Sequence, residues 1–141
     1  MLKQLQILFV SDNQYAAGIF KGYFHALGCN LVTISDGNMF LGRVNVISPD
    51  LIIWDFGMDK GFFNQEAQKL LKQLKVPICG LSHAHAKPQM NIEFDEILVD
   101  PIDVVQLDKY IGGKFKRGAS FYAARKSSDR RDFFDRRGQS N

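Results

Sequence analysis

Four short apolar runs set the strongest limit on what this chain can fold into: Ile7-Leu8-Phe9-Val10, Leu51-Ile52-Ile53-Trp54, Pro77-Ile78-Cys79-Gly80-Leu81 and Ile97-Leu98-Val99. Each is apolar at nearly every position. A strand with one wet face alternates apolar and polar residues, whereas a strand covered on both faces reads as a continuous run, the habit of parallel sheets flanked by helices. Leu31-Val32-Thr33-Ile34 makes a fifth, less apolar strand.

Between these runs apolar residues recur at helical spacing: Ile19, Tyr23 and Leu27; Phe40, Val44 and Ile47; Phe63, Ala67, Leu70 or Leu71, and Leu74; then Val104, Leu107 and Ile111. From His83 to Ile92 the periodicity is weak and Pro88 interrupts it, so any helix there is short. Strand and helix thus alternate five times. The pattern predicts an α/β fold, a doubly wound five-stranded parallel sheet of (βα)5 type, whose ligands gather outside the carboxyl ends of the strands. A length of 141 residues with 45% hydrophobic content suffices for one domain with a sizeable core and is short for two.

Charge is unevenly spread. Residues 1–113 hold 9 Lys and Arg against 12 Asp and Glu, a net of −3, while residues 114–141 hold 9 against 3, a net of +6. We therefore expect a folded domain over residues 1–117 and a basic, flexible tail over 118–141, with deletion after Gly118 leaving the fold intact. Gly112-Gly113 reads as a helix end. The tail repeats Asp-Arg-Arg at Asp129 and Asp135, with Phe133-Phe134 between. Basic residues interleaved with aromatics can grip nucleic acid or an acidic surface, although a solvated tail is the commoner outcome of such composition.

Neither a secretory leader nor a run of apolar residues long enough to span a bilayer is visible, so a cytoplasmic location is expected. Cys29 and Cys79 stand far apart with no ligand spacing around them and read as small buried residues rather than a disulfide or zinc site.

The residues leaving the strands are where chemistry is expected: Ser11-Asp12-Asn13, Asp36-Gly37, Asp55-Phe56-Gly57, Ser82-His83 and Asp100-Pro101. No glycine cluster follows the first strand, which excludes a dinucleotide fingerprint and a P-loop. Carboxylates at several strand ends and a hydroxyl at another suit a hard cation and a phosphoryl group. The blander alternative is that Asp12 and Asp55 end their strands by capping the helices that follow.

Order and spacing here resemble the response-regulator receiver (CheY-like, flavodoxin-like) family over roughly residues 5–112. Ile7 to Asp12 resembles its first strand and acidic pair, and Pro49 to Asp55 the run ending in the phosphoacceptor. Val76 to Ser82 resembles the strand ending in Ser/Thr, and Leu98 to Asp103 the strand ending in Lys-Pro. The resemblance implies Asp55 as phosphoacceptor and Ser82 as the phosphoryl-contacting hydroxyl. It implies Mg2+ held by Asp12, Asp55 and the backbone carbonyl of Gly57. A sensor histidine kinase or phosphotransfer protein would act upstream and a protein target downstream, with no enzymatic activity beyond accepting a phosphoryl group.

Four positions depart from the family pattern. Ser11 replaces the first acid of the pair. Asp100 replaces the lysine that pairs with the phosphoryl group; at ~4 Å a like charge costs about 1 kcal/mol in water and about 4 at an effective dielectric of 20. Asp100 is either a solvent-facing residue before Pro101 or a third carboxylate beside Asp12 and Asp55. His83 follows Ser82 where the family has a small residue; an imidazole there crowds the pocket, although His83 and His85 read first as loop histidines. Ile97 stands where an aromatic switch side chain is usual. Lys60 and Lys87 are the candidate compensating cations, and Phe62-Phe63 can leave one ring exposed for a partner. Two functions follow: a stand-alone phosphorelay receiver, or a phosphorylation-independent pseudo-receiver that signals by docking a protein, with the basic tail as a further binding segment. Nucleic-acid binding through the tail ranks below both.

Overall fold

A computed structural model describes residues 4–56, 65–83 and 92–115. Gly57, Lys60, Phe62, Phe63, His85, Lys87 and the tail over 118–141 lie outside the described residues. The elements run β1 (Gln6–Val10), α1 (Gln14–Ala26), β2 (Asn30–Ile34), α2 (Gly37–Ile47), β3 (Leu51–Asp55), α3 (Gln65–Gln73), β4 (Ile78–His83), β5 (Glu96–Asp100) and α4 (Val104–Phe115). Two compact units are distinguished, Met1–Asp103 and Val104–Asn141.

The first unit holds a parallel sheet in the order β2-β1-β3-β4-β5. All five residues of β3 are buried, as its unbroken apolar run requires. Register fixes the two faces. Leu8, Val10, Ile52, Trp54 and Ile78 meet Phe40 and Val44 of α2 and Ala67 and Leu71 of α3 in one core cluster, with the Phe40 and Trp54 rings edge to face at 5.2 Å. On the other face Phe9 meets Phe20 of α1, ring centroids 4.8 Å apart. Helices therefore cover both faces, and the sheet is doubly wound.

Local chemistry sets the helix ends. Asn13 caps α1, its side chain accepting from the Ala16 N–H at 3.0 Å, and Asp36 caps α2 by accepting from Met39 N–H at 2.8 Å. After α1 the chain turns at Gly28 with φ +76°, a conformation open to glycine without strain, and enters β2.

Three sequence expectations are corrected here. The fully buried stripe of α1 is Ala16, Phe20, Tyr23 and Phe24 rather than Ile19, Tyr23 and Leu27, because the aromatic rings rather than the aliphatic residues turn toward the sheet. Asp12 does not cap α1; Asn13 does. Gly112-Gly113 does not end the last helix, which continues to Phe115: glycine weakens a helix by about 1 kcal/mol but does not force a stop.

The second unit is described as α4 alone, in which Leu107, Asp108 and Ile111 are buried. Cys29 and Cys79 are buried, as expected, and form no disulfide among the described residues.

Candidate functional site

The exits of β1, β3 and β4 meet at Asp55, and the exit of β5 joins them through His83. This carboxylate is 2% exposed, held at the end of a strand whose other residues are apolar and buried. Burial of a charge needs donors, and two are supplied. Ser11 Oγ donates to Asp55 Oδ2 at 2.5 Å while accepting from Asn13 N–H at 2.9 Å, so one hydroxyl links the start of α1 to the end of β3. From β4, His83 Nε2 lies 2.8 Å from Asp55 Oδ1. An ionised carboxylate only accepts, so Nε2 carries the hydrogen in this contact. The other ring nitrogen, Nδ1, faces Asp100 Oδ2 of β5 at 3.5 Å.

The register explains why these residues meet. His83 and Asp100 are paired positions of β4 and β5, and Asp55 pairs with Leu81, two residues before His83. His83 thus spans from one carboxylate to the other across the carboxyl end of the sheet. It is the last residue of a strand and not a loop histidine, and Asp100 is not simply solvent-facing. The two side chains are 33% and 27% exposed, and Asp100 Oδ1 is buried with no hydrogen-bond partner among the described residues. The peptide bond from Asp100 to Pro101 is cis.

The remaining candidates are placed as follows. Ser82 is buried at 5% exposure beside Asp55's strand end, whereas Asp12 is exposed. Ile97, 39% exposed, pairs with Gly80. Phe56, directly after Asp55, turns its ring across Gly80: a Cβ on that glycine would come within 3 Å of the Phe56 ring carbons. Phe94 closes over it edge to face, centroids 4.8 Å apart. Sequence reasoning did not single out this group. The glycine interrupting the otherwise apolar β4 run was the signal that could have found it.

Among the described residues, both oxygens of Asp55 already carry contacts with which a hard dication would compete. A hard dication is held by oxygen atoms whose lone pairs are free for it. Here Ser11 supplies a neutral hydroxyl that donates to Asp55 Oδ2, and Oδ1 faces the imidazole N–H. Among the described residues no group of three or more His, Cys, Asp or Glu side chains is arranged to hold a metal ion. Cys79, on β4, takes no part: burial foremost, with Glu96 and Asp95 nearby, pushes its thiol pKa well above the usual range.

No family model and no curated protein matches this sequence. Solved structures do match, and they are receiver domains. A two-component response regulator from Clostridium difficile gives a TM-score of 0.66 at 18% identity, over 81% of this chain and 98% of that one. The CheY-like receiver domain from Methylobacillus flagellatus gives 0.63 at 22%, over 79% and 98%. The pseudo-receiver domain of the CikA protein gives 0.58 at 18%, over 77% and 94%. The chain therefore has the response-regulator receiver fold. No helix among the described residues is long and apolar enough to cross a membrane.

Proposed function

We propose that this chain is a pseudo-receiver: a module that keeps the receiver fold and works by docking a protein partner without accepting a phosphoryl group. One observation carries this reading, the His83 imidazole seated 2.8 Å from the Asp55 carboxylate. In-line attack by a carboxylate needs an open approach and cations around the incoming anion. At Asp55 an aromatic ring takes the approach, and behind it Asp100 supplies a negative charge where a phosphoryl group would need a positive one. The receiver fold accommodates this reading, a pseudo-receiver domain, that of CikA, being among the structures the chain resembles.

A phosphorelay receiver with Asp55 as acceptor is the second reading, favoured by the burial of Ser82 at the neighbouring strand end. In that case a histidine kinase or phosphotransfer protein would be the donor, and His83 would have to leave Asp55 before each transfer.

Beryllofluoride with magnesium separates the two. A competent acceptor captures this phosphoryl mimic and shifts the amide resonances along β4 and β5. For this chain the spectrum is expected to stay as it is, and saturable shifts centred on Asp55 and Ser82 would restore the phosphorelay reading.

A further inference from the structure

We propose that His83 Nδ1 and Asp100 Oδ2 form a two-ligand site for a divalent first-row transition ion such as zinc, with water filling the remaining positions. The two atoms stand 3.5 Å apart. A hydrogen bond between an imidazole N–H and a carboxylate spans about 2.7–3.2 Å, so they do not close on each other. Zinc bonds of about 2.0–2.1 Å to nitrogen and 2.0–2.2 Å to oxygen, opened to the tetrahedral angle, set two donor atoms about 3.4 Å apart. The gap between His83 and Asp100 matches that bite.

Four further features suit such an ion. His83 Nε2 is committed to Asp55 Oδ1 at 2.8 Å. A carboxylate on one ring nitrogen is the usual outer-shell partner of a metal-bound histidine, because it fixes the ring and leaves the other nitrogen as the ligand. Asp100 Oδ1 is buried with no hydrogen-bond partner among the described residues, an arrangement that calls for a partner of another kind. Register holds both ligands: His83 and Asp100 are paired positions of β4 and β5, so ordered strands set their separation before any ion arrives. Both side chains are partly exposed, which gives the ion a way in and leaves room for water. An imidazole ligand favours transition ions over magnesium, so the site differs in residues and in chemistry from the one that the family resemblance implies at Asp12 and Asp55. It goes beyond the docking function proposed above, and its test needs no phosphoryl donor.

Titration of the full chain with zinc, followed by amide and imidazole NMR, tests the site. Saturable shifts are expected at His83 and Asp100 and should withstand excess magnesium. Shifts centred on His25 or Asp12, or none at all, overturn the proposal. Asp100→Asn should weaken zinc binding about tenfold or more, the cost that loss of even an outer-shell partner carries. His83→Gln keeps a side-chain N–H donor toward Asp55 but lacks the Nδ1 ligand, so the fold should survive while the zinc shifts vanish. Binding of parent strength in either variant overturns the site. His85→Ala separates it from a pair made by His83 and His85, which stand two apart in the sequence. Binding should persist in His85→Ala; its loss there, with Asp100→Asn binding as the parent does, assigns zinc to the histidine pair and overturns the proposal equally.

Discussion

His83 Nε2 and Asp55 Oδ1 stand 2.8 Å apart at the carboxyl ends of neighbouring parallel strands, and the proposed pseudo-receiver function rests on this contact. It gives one oxygen of a buried carboxylate a hydrogen-bond partner, as Ser11 does the other.

Removing the imidazole leaves a buried carboxylate short of a donor. His83→Ala is expected to lower unfolding free energy by about 1–3 kcal/mol, a hydrogen bond to a charged group being worth about this much. Urea denaturation checks it; a change under about 0.5 kcal/mol would mean the contact is idle.

Ser11 offers a test of sign. Ser11→Ala should cost about 1–2 kcal/mol, since it deletes a donor to Asp55 and the acceptor of Asn13 N–H. Ser11→Asp, which restores the acid usual in the family, should cost more, because it sets a like charge against a carboxylate that is 2% exposed. If the acid proves the milder substitution in metal-free buffer, the account of Asp55 as donor-dependent fails.

Gly80→Ala pushes a methyl group into the Phe56 ring and should destabilise by about 1–3 kcal/mol through overpacking. In a Phe56→Ala background that added cost should largely vanish, since the two substitutions share one volume. Additive costs across the four proteins would place the ring elsewhere in solution.

Alkaline pH should weaken the fold through Cys79. Its folded thiol is held protonated by burial, while in the unfolded chain it ionises at about pH 8.5. The unfolded state then binds fewer protons than the folded one, so this contribution is intact below about pH 8.5 and is lost as pH rises above it, on the order of 1 kcal/mol per pH unit. Cys79→Ala should flatten stability between pH 8 and 10 relative to the parent, and an identical slope would exclude Cys79 as the source.

Much of the fold was legible because burial on both faces writes itself as unbroken apolar runs: all four such runs, and the weaker Leu31 to Ile34, are strands of one parallel sheet. The strand exits were legible for the same reason, since a run ends where the chain leaves the core. What sequence spacing does not carry is which side chains meet across strands. His83 and Asp100 become neighbours through the β4–β5 register, a relation between segments far apart in sequence, so a histidine that read as a loop residue proves to bridge two carboxylates. The Phe56, Gly80 and Phe94 group was missed likewise. Its members lie 24 and 14 residues apart along the chain, and only the sheet brings a ring over a glycine.

The central claim is that Asp55 does not accept a phosphoryl group, and intact-mass measurement after incubation with acetyl phosphate and magnesium tests it most directly. The account predicts a single species at the mass of the unmodified chain, under conditions that label an ordinary receiver run in parallel. An acid-labile adduct of one phosphoryl group that disappears in Asp55→Asn would contradict it.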